Sequence, residues 1–106
     1  MNKTKQKRLA AAGWKVGSAK EFLGLSDQEA ALIEMRMALA ESLRKHRVAR
    51  HLSQEQLAEE LGSSQSRVAK MEAADPSVTI DLLLRSLLAL GVSRRVLAGI
   101  LGRPAA

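Results

Sequence analysis

From about residue 26 onward, apolar residues recur at intervals of three and four in five runs separated by short polar breaks, which predicts five α-helices. Ser26 and Glu29 have the spacing of a capping box and open a long helix with Leu32, Met35 or Arg36, Leu39 and Leu43 in step and Ala40 alongside, running to about Val48 or Arg50. Ser53, with Gln56 three residues on, caps a second helix whose buried stripe is Leu57, Ala58 and Leu61, and Gly62 ends it. The pattern restarts at Gln65 with Val68, Ala69 and Met71 inward. Asp75-Pro76-Ser77 reads as a loop, because proline disfavours helix at the residue before it. Thr79 then caps a helix from Ile80 to Leu90, Gly91 stops it, and Ser93 caps a last helix through about Leu101.

The front of the chain lacks this order. Residues 1–12 are polar and basic with no capping signal, and read as a disordered or loosely helical arm. Ser18 and Glu21 repeat the capping-box spacing and predict a short helical turn through Phe22 and Leu23. The reading therefore divides into a basic arm and short extension (1–25), a helical domain (26–102) and a tail (103–106).

Leu and Ala supply 17 residues each of the 106 and are strong helix formers, so composition agrees with an all-α class. A chain this short buries one core and has no room for two lobes around a deep cleft, which excludes most enzymes. No P-loop, dinucleotide fingerprint or nucleophile elbow is present, and the serines sit at caps. The absence of cysteine removes disulfides and thiolate chemistry and agrees with a cytoplasmic protein. Leu9 to Trp14 is too short for the apolar part of a signal peptide, and Arg85 and Ser86 break the leucine run from Leu82 to Leu90, so neither secretion nor a membrane span is expected.

The net charge of +6 is confined to the front: Lys3, Lys5, Lys7, Arg8, Lys15 and Lys20 precede residue 21 with no acid among them, and the remainder is balanced. Such an arm suits attraction to a polyanion. Arg44, Lys45, Arg47 and Arg50 form a second cluster in the last turns of the long helix, where a solvated helix end and a phosphate-binding patch both remain open.

Two short helices joined by a tight glycine-containing turn make a helix-turn-helix layout over about 53–72. The residues Ser53-Gln54, Leu57-Ala58, Leu61-Gly62, Ser64-Gln65, Val68 and Glu72 stand at the spacing of the Cro/C1-type (XRE) repressor family, which this stretch resembles. The resemblance continues through Pro76 and the helix Thr79 to Gly91, and covers about Leu39 to Leu90. The wider layout is similar to antitoxins of the HigA type. It implies a compact five-helix, lambda-repressor-like DNA-binding domain carrying an N-terminal helical extension and a basic arm. One departure is Ser63, where the family usually buries Val or Ile.

On that resemblance Gln65, Ser66, Arg67 and Lys70 occupy the base-reading face, with glutamine suited to adenine and arginine to guanine. The DNA backbone is assigned to Gln54 and Ser64, near the free amides of two helix starts, and to Arg44, Lys45 and Arg50. These outside cations matter because Ser53 to Glu72 is itself net −2. Glu59 and Glu60, toward the far end of their helix, are expected to face away from DNA. The family's structural ion pair maps onto Arg47 and Glu72.

Three further expectations concern partners. Apolar residues of the last two helices exceed what one small core covers; some complete the core, and Leu84, Leu87, Leu88, Val96, Leu97 and Ile100 are candidates for a homodimer interface. Trp14 and Phe22, the only aromatics, lie before the motif and either pack back on the helix from Ser26 or dock a partner such as a toxin. His46 and His51 are five apart with no completing acid or cysteine, so they read as solvated, and neither a metal nor a cofactor is expected. The function implied is a sequence-specific regulator of double-stranded DNA, a homodimeric repressor on a palindrome, with a toxin-neutralising antitoxin as the alternative.

Overall fold

The computed structural model describes residues 23–102. The arm, the segment bearing Trp14 and Phe22, and the tail 103–106 lie outside the described residues. Those described form five helices and no strand: α1 (Asp27–Ala49), α2 (Gln54–Leu61), α3 (Gln65–Glu72), α4 (Ile80–Ala89) and α5 (Arg94–Leu101). The chain divides into two units within α1, and residues 35–102 form one of them.

Each helix begins where a side-chain oxygen can take an orphan amide. Ser26 Oγ accepts from the Glu29 amide while Glu29 accepts from the Ser26 amide, and hydrogen bonding to its carboxylate, from the Ser26 amide foremost and then from the Ser26 side chain, holds the Glu29 carboxyl below its ordinary pKa. Ser53 and Gln56 close the same reciprocal box at 3.0 and 2.8 Å. Ser64, Thr79 and Ser93 each accept from the amide three residues on. Gly62, at φ 64°, supplies the left-handed turn after α2 that lets the Ser63 amide reach the Ala58 carbonyl at 2.8 Å.

Residues 35–102 close around Leu39 and Leu43 of α1, Leu57 of α2, Val68 and Met71 of α3, and Leu83 and Leu87 of α4, all at most 1% exposed. Val92, Leu97 and Ile100 complete this core from α5 and the turn before it. Burying each large aliphatic side chain stabilises by about 1.5–3 kcal/mol. Val78 plugs the loop between α3 and α4 into the core, and Arg36 Nε donates to its carbonyl at 3.2 Å, tying that loop to α1.

Three of the six residues assigned by sequence to a dimer interface are corrected here. Leu87, Leu97 and Ile100 are buried in the chain's own core, because α4 and α5 turn these faces inward. Leu84 is half-buried against the same core, and only Leu88 and Val96 expose nearly half their surface. Leu32, in step with the apolar stripe of α1, is also exposed, whereas Ala30 is buried. His46 is not simply solvated: it is half-buried, and its Nδ1 donates to the Ser42 carbonyl at 2.8 Å.

Ser63 sits half-buried in the turn between α2 and α3, and its hydroxyl oxygen is buried with no hydrogen-bond partner among the described residues. An unsatisfied buried hydroxyl costs about 1–3 kcal/mol. Ser63→Val is therefore expected to raise stability by about 1 kcal/mol, part of the gain going to the stiffness of a branched side chain in a turn. Urea unfolding measures it, and a lowered midpoint would contradict the assignment of an orphaned hydroxyl.

Candidate nucleic-acid interface

Helices α2 and α3 pack directly on each other across the three-residue turn Gly62-Ser63-Ser64. Helix α3 has two faces. Val68 and Met71 are buried, and Gln65, Ser66, Arg67 and Lys70 are exposed on the other side. A capped eight-residue helix on a solid apolar base presents those four side chains with little backbone freedom.

The angle between helices is held by a nearly buried ion pair. Arg47 Nε and Nη2 donate to the two carboxylate oxygens of Glu72 at 2.6 and 3.0 Å, and Nη1 donates to the Leu52 carbonyl at 2.8 Å. The side chains are 14% and 5% exposed. Hydrogen bonding to the Glu72 carboxylate raises the guanidinium pKa above its usual value against the opposing effect of burial. One side chain of α1 thus grips the turn before α2 and the last residue of α3.

A chain of carboxamides leads from this pair to the exposed face. Gln54 Nε2 donates to Glu72 Oε1 at 3.2 Å, and Gln54 Oε1 accepts from Gln65 Nε2 at 2.7 Å. Gln54, assigned by sequence to the DNA backbone, is thus engaged at both ends of its carboxamide. These contacts join residues 11 and 18 apart, and helical periodicity carries no sign of them.

The cations divide. Arg50 donates to Glu60 at 3.3 Å and Lys45 pairs with Glu41 one turn away at 3.0 Å, both in solvent-exposed pairs of small energy. Arg44, Arg67 and Lys70 are exposed and form no ion pair among the described residues. Arg67 and Lys70 border an open hollow of about 290 Å³ together with Ser64, Ser66 and Ser77. Ser77 went unnoticed in sequence, where Asp75-Pro76-Ser77 is only a loop; its position beside α3 is a product of the fold. Asp75 Oδ1 accepts from both the hydroxyl and the amide of Ser77, at 2.6 and 2.8 Å. Those bonds, the hydroxyl's foremost, hold its carboxyl below the ordinary value, and Lys70 adds to the effect. Among the described residues there is no group of three metal-ligating side chains, and no helix is long and apolar enough to cross a membrane.

Two outcomes follow. Arg47→Ala leaves Glu72 charged and buried without its partner, and is expected to cost about 3–5 kcal/mol; a thermal melt matching the parent would contradict a structural role. A carboxyl with a depressed folded pKa stabilises above its unfolded pKa and loses that contribution as pH falls through the folded value. Asp75→Ala should therefore be less stable than the parent near neutrality, with the two stabilities converging as pH falls below the ordinary carboxylate range.

A family model described as helix-turn-helix matches residues 43–98, just over half of the chain. Neither the curated proteins nor the solved structures contain a match. The matched span includes both helices of the turn motif, Arg47 and Glu72 with their ion pair, and helix α4. The chain belongs to the Cro/C1-type (XRE) helix-turn-helix family of DNA-binding transcription regulators.

Proposed function

We propose that this protein is a sequence-specific repressor that binds a palindromic operator as a homodimer, with α3 lying in the major groove. The observation that carries the reading is the division of α3, where buried Val68 and Met71 fix the helix and Gln65, Ser66, Arg67 and Lys70 stand exposed together. Gln65 and Arg67 are assigned to base edges, and Ser66 and Lys70 supplement them. Ser64, Arg44, Lys45 and Arg50 are assigned to phosphates, with the second amide hydrogen of Gln54. The hollow bounded by Arg67, Lys70, Ser64, Ser66 and Ser77 suits a backbone phosphate, which adds Ser77 to that set. Exposed Leu88 and Val96, on α4 and α5, support self-association. Neutralisation of a toxin is the alternative, and it rests on Trp14 and Phe22 in the sequence; co-purification of a small basic protein would favour it.

Selection of bound duplexes from a random library at two salt concentrations tests the reading. The expected product is a palindrome with spaced half-sites, with Arg67→Ala relaxing one position per half-site and Arg44→Ala weakening all sequences alike while flattening the salt dependence by about one phosphate. Salt-sensitive binding with no sequence preference would overturn it.

A further inference from the structure

The order of hydrogen-bonding groups that Gln65 presents is controlled from inside the protein. A carboxamide is nearly symmetric in shape, so packing alone does not decide which end is oxygen and which is nitrogen. A carboxylate does decide, because it only accepts. Glu72, held by Arg47 through both oxygens, faces Gln54 with Oε1. Gln54 must therefore turn its NH2 inward, since a reversed amide would set oxygen against oxygen. Its carbonyl is then directed at Gln65, which must answer with its own NH2, at 2.7 Å. One acceptor oxygen and one N–H of Gln65 remain for a ligand, in a fixed order.

We infer that Glu72 is a positioning residue for base recognition: through Gln54 it sets the polarity of the Gln65 carboxamide so that its acceptor and its remaining donor meet the N6 amino group and N7 of an adenine. The inference rests on the reading of Gln65 as a base-contacting residue. A reversed Gln65 would oppose donor to donor and acceptor to acceptor at the same base. Glu72 touches no DNA in this account, and its influence is confined to one base position in each half-site.

The test compares the full-length parent with four variants, by competition binding to the selected operator and to operators changed at each position, with thermal melts alongside. Gln65→Ala identifies the position read. Glu72→Gln is expected to lose preference at that same position by about 5- to 150-fold, the contribution of a bidentate pair, while the salt dependence and the other positions stay as in the parent. The double variant Glu72→Gln with Gln54→Glu returns a pure acceptor to the middle of the chain, so it is expected to restore the preference even though added negative charge weakens all sequences uniformly. Gln54→Met leaves the Arg47–Glu72 pair intact and should lose the same preference, and it decides the matter if Glu72→Gln does not fold. Retention of the preference by folded Glu72→Gln or by Gln54→Met overturns the inference, as does a double variant no better than Glu72→Gln. If Gln65→Ala changes no position, the reading of Gln65 itself has failed, and the inference falls with it.

Discussion

The bond between Arg47 and Glu72 is the constraint on which the rest depends. Two charges taken largely out of water stabilise little in net terms unless every donor and acceptor is answered, and here the guanidinium also serves the Leu52 carbonyl while Glu72 also serves Gln54. The consequence is geometric more than energetic. Three segments, the end of α1, the start of α2 and the end of α3, meet on one charged pair. The first residue of α3 is then reached through Gln54. Two short helices of eight residues each would be marginal alone; fastened in this way over Leu57, Val68 and Met71 they become a rigid frame.

Electrostatics and recognition are separate within the chain. The motif carries more acid than base, and part of its nearby positive charge is engaged, Arg50 with Glu60 and Lys45 with Glu41. Exposed pairs of this kind exchange readily with other partners, because each is worth no more than about 1 kcal/mol. Arg67 and Lys70 on α3, without an ion pair among the described residues, border one hollow with Ser64, Ser66 and Ser77, an arrangement that favours short-range contact over long-range attraction. The net positive charge lies before residue 21, and in the proposed function it supplies the long-range part.

Much of the fold was legible because helix boundaries are local chemistry. Ser26, Ser53, Ser64, Thr79 and Ser93 announce helix starts three residues ahead of the amide they bind, and Gly62 marks a turn that left-handed backbone requires. The allocation of surplus leucines was not legible, since Leu87 and Leu88 are chemically alike and only the angle of α4 sends one inward and leaves the other half exposed. The exposed face of α3 could be inferred from spacing and family resemblance. Its connection through Gln54 depends on how α2 and α3 pack across their turn, and the arrival of Ser77 beside it on how the loop carrying Val78 is bound to Arg36 and the core; no local pattern encodes either.

A double-mutant cycle on the ion pair, read by denaturant unfolding, tests the central claim most directly. The account predicts that Arg47→Met and Glu72→Met each cost about 3–5 kcal/mol, whereas the double variant, with no charge left stranded, lies within about 1 kcal/mol of the parent. Single effects that add to within about 0.5 kcal/mol would contradict it, because the two residues would then be contributing independently and not as the shared fastening of the three helices.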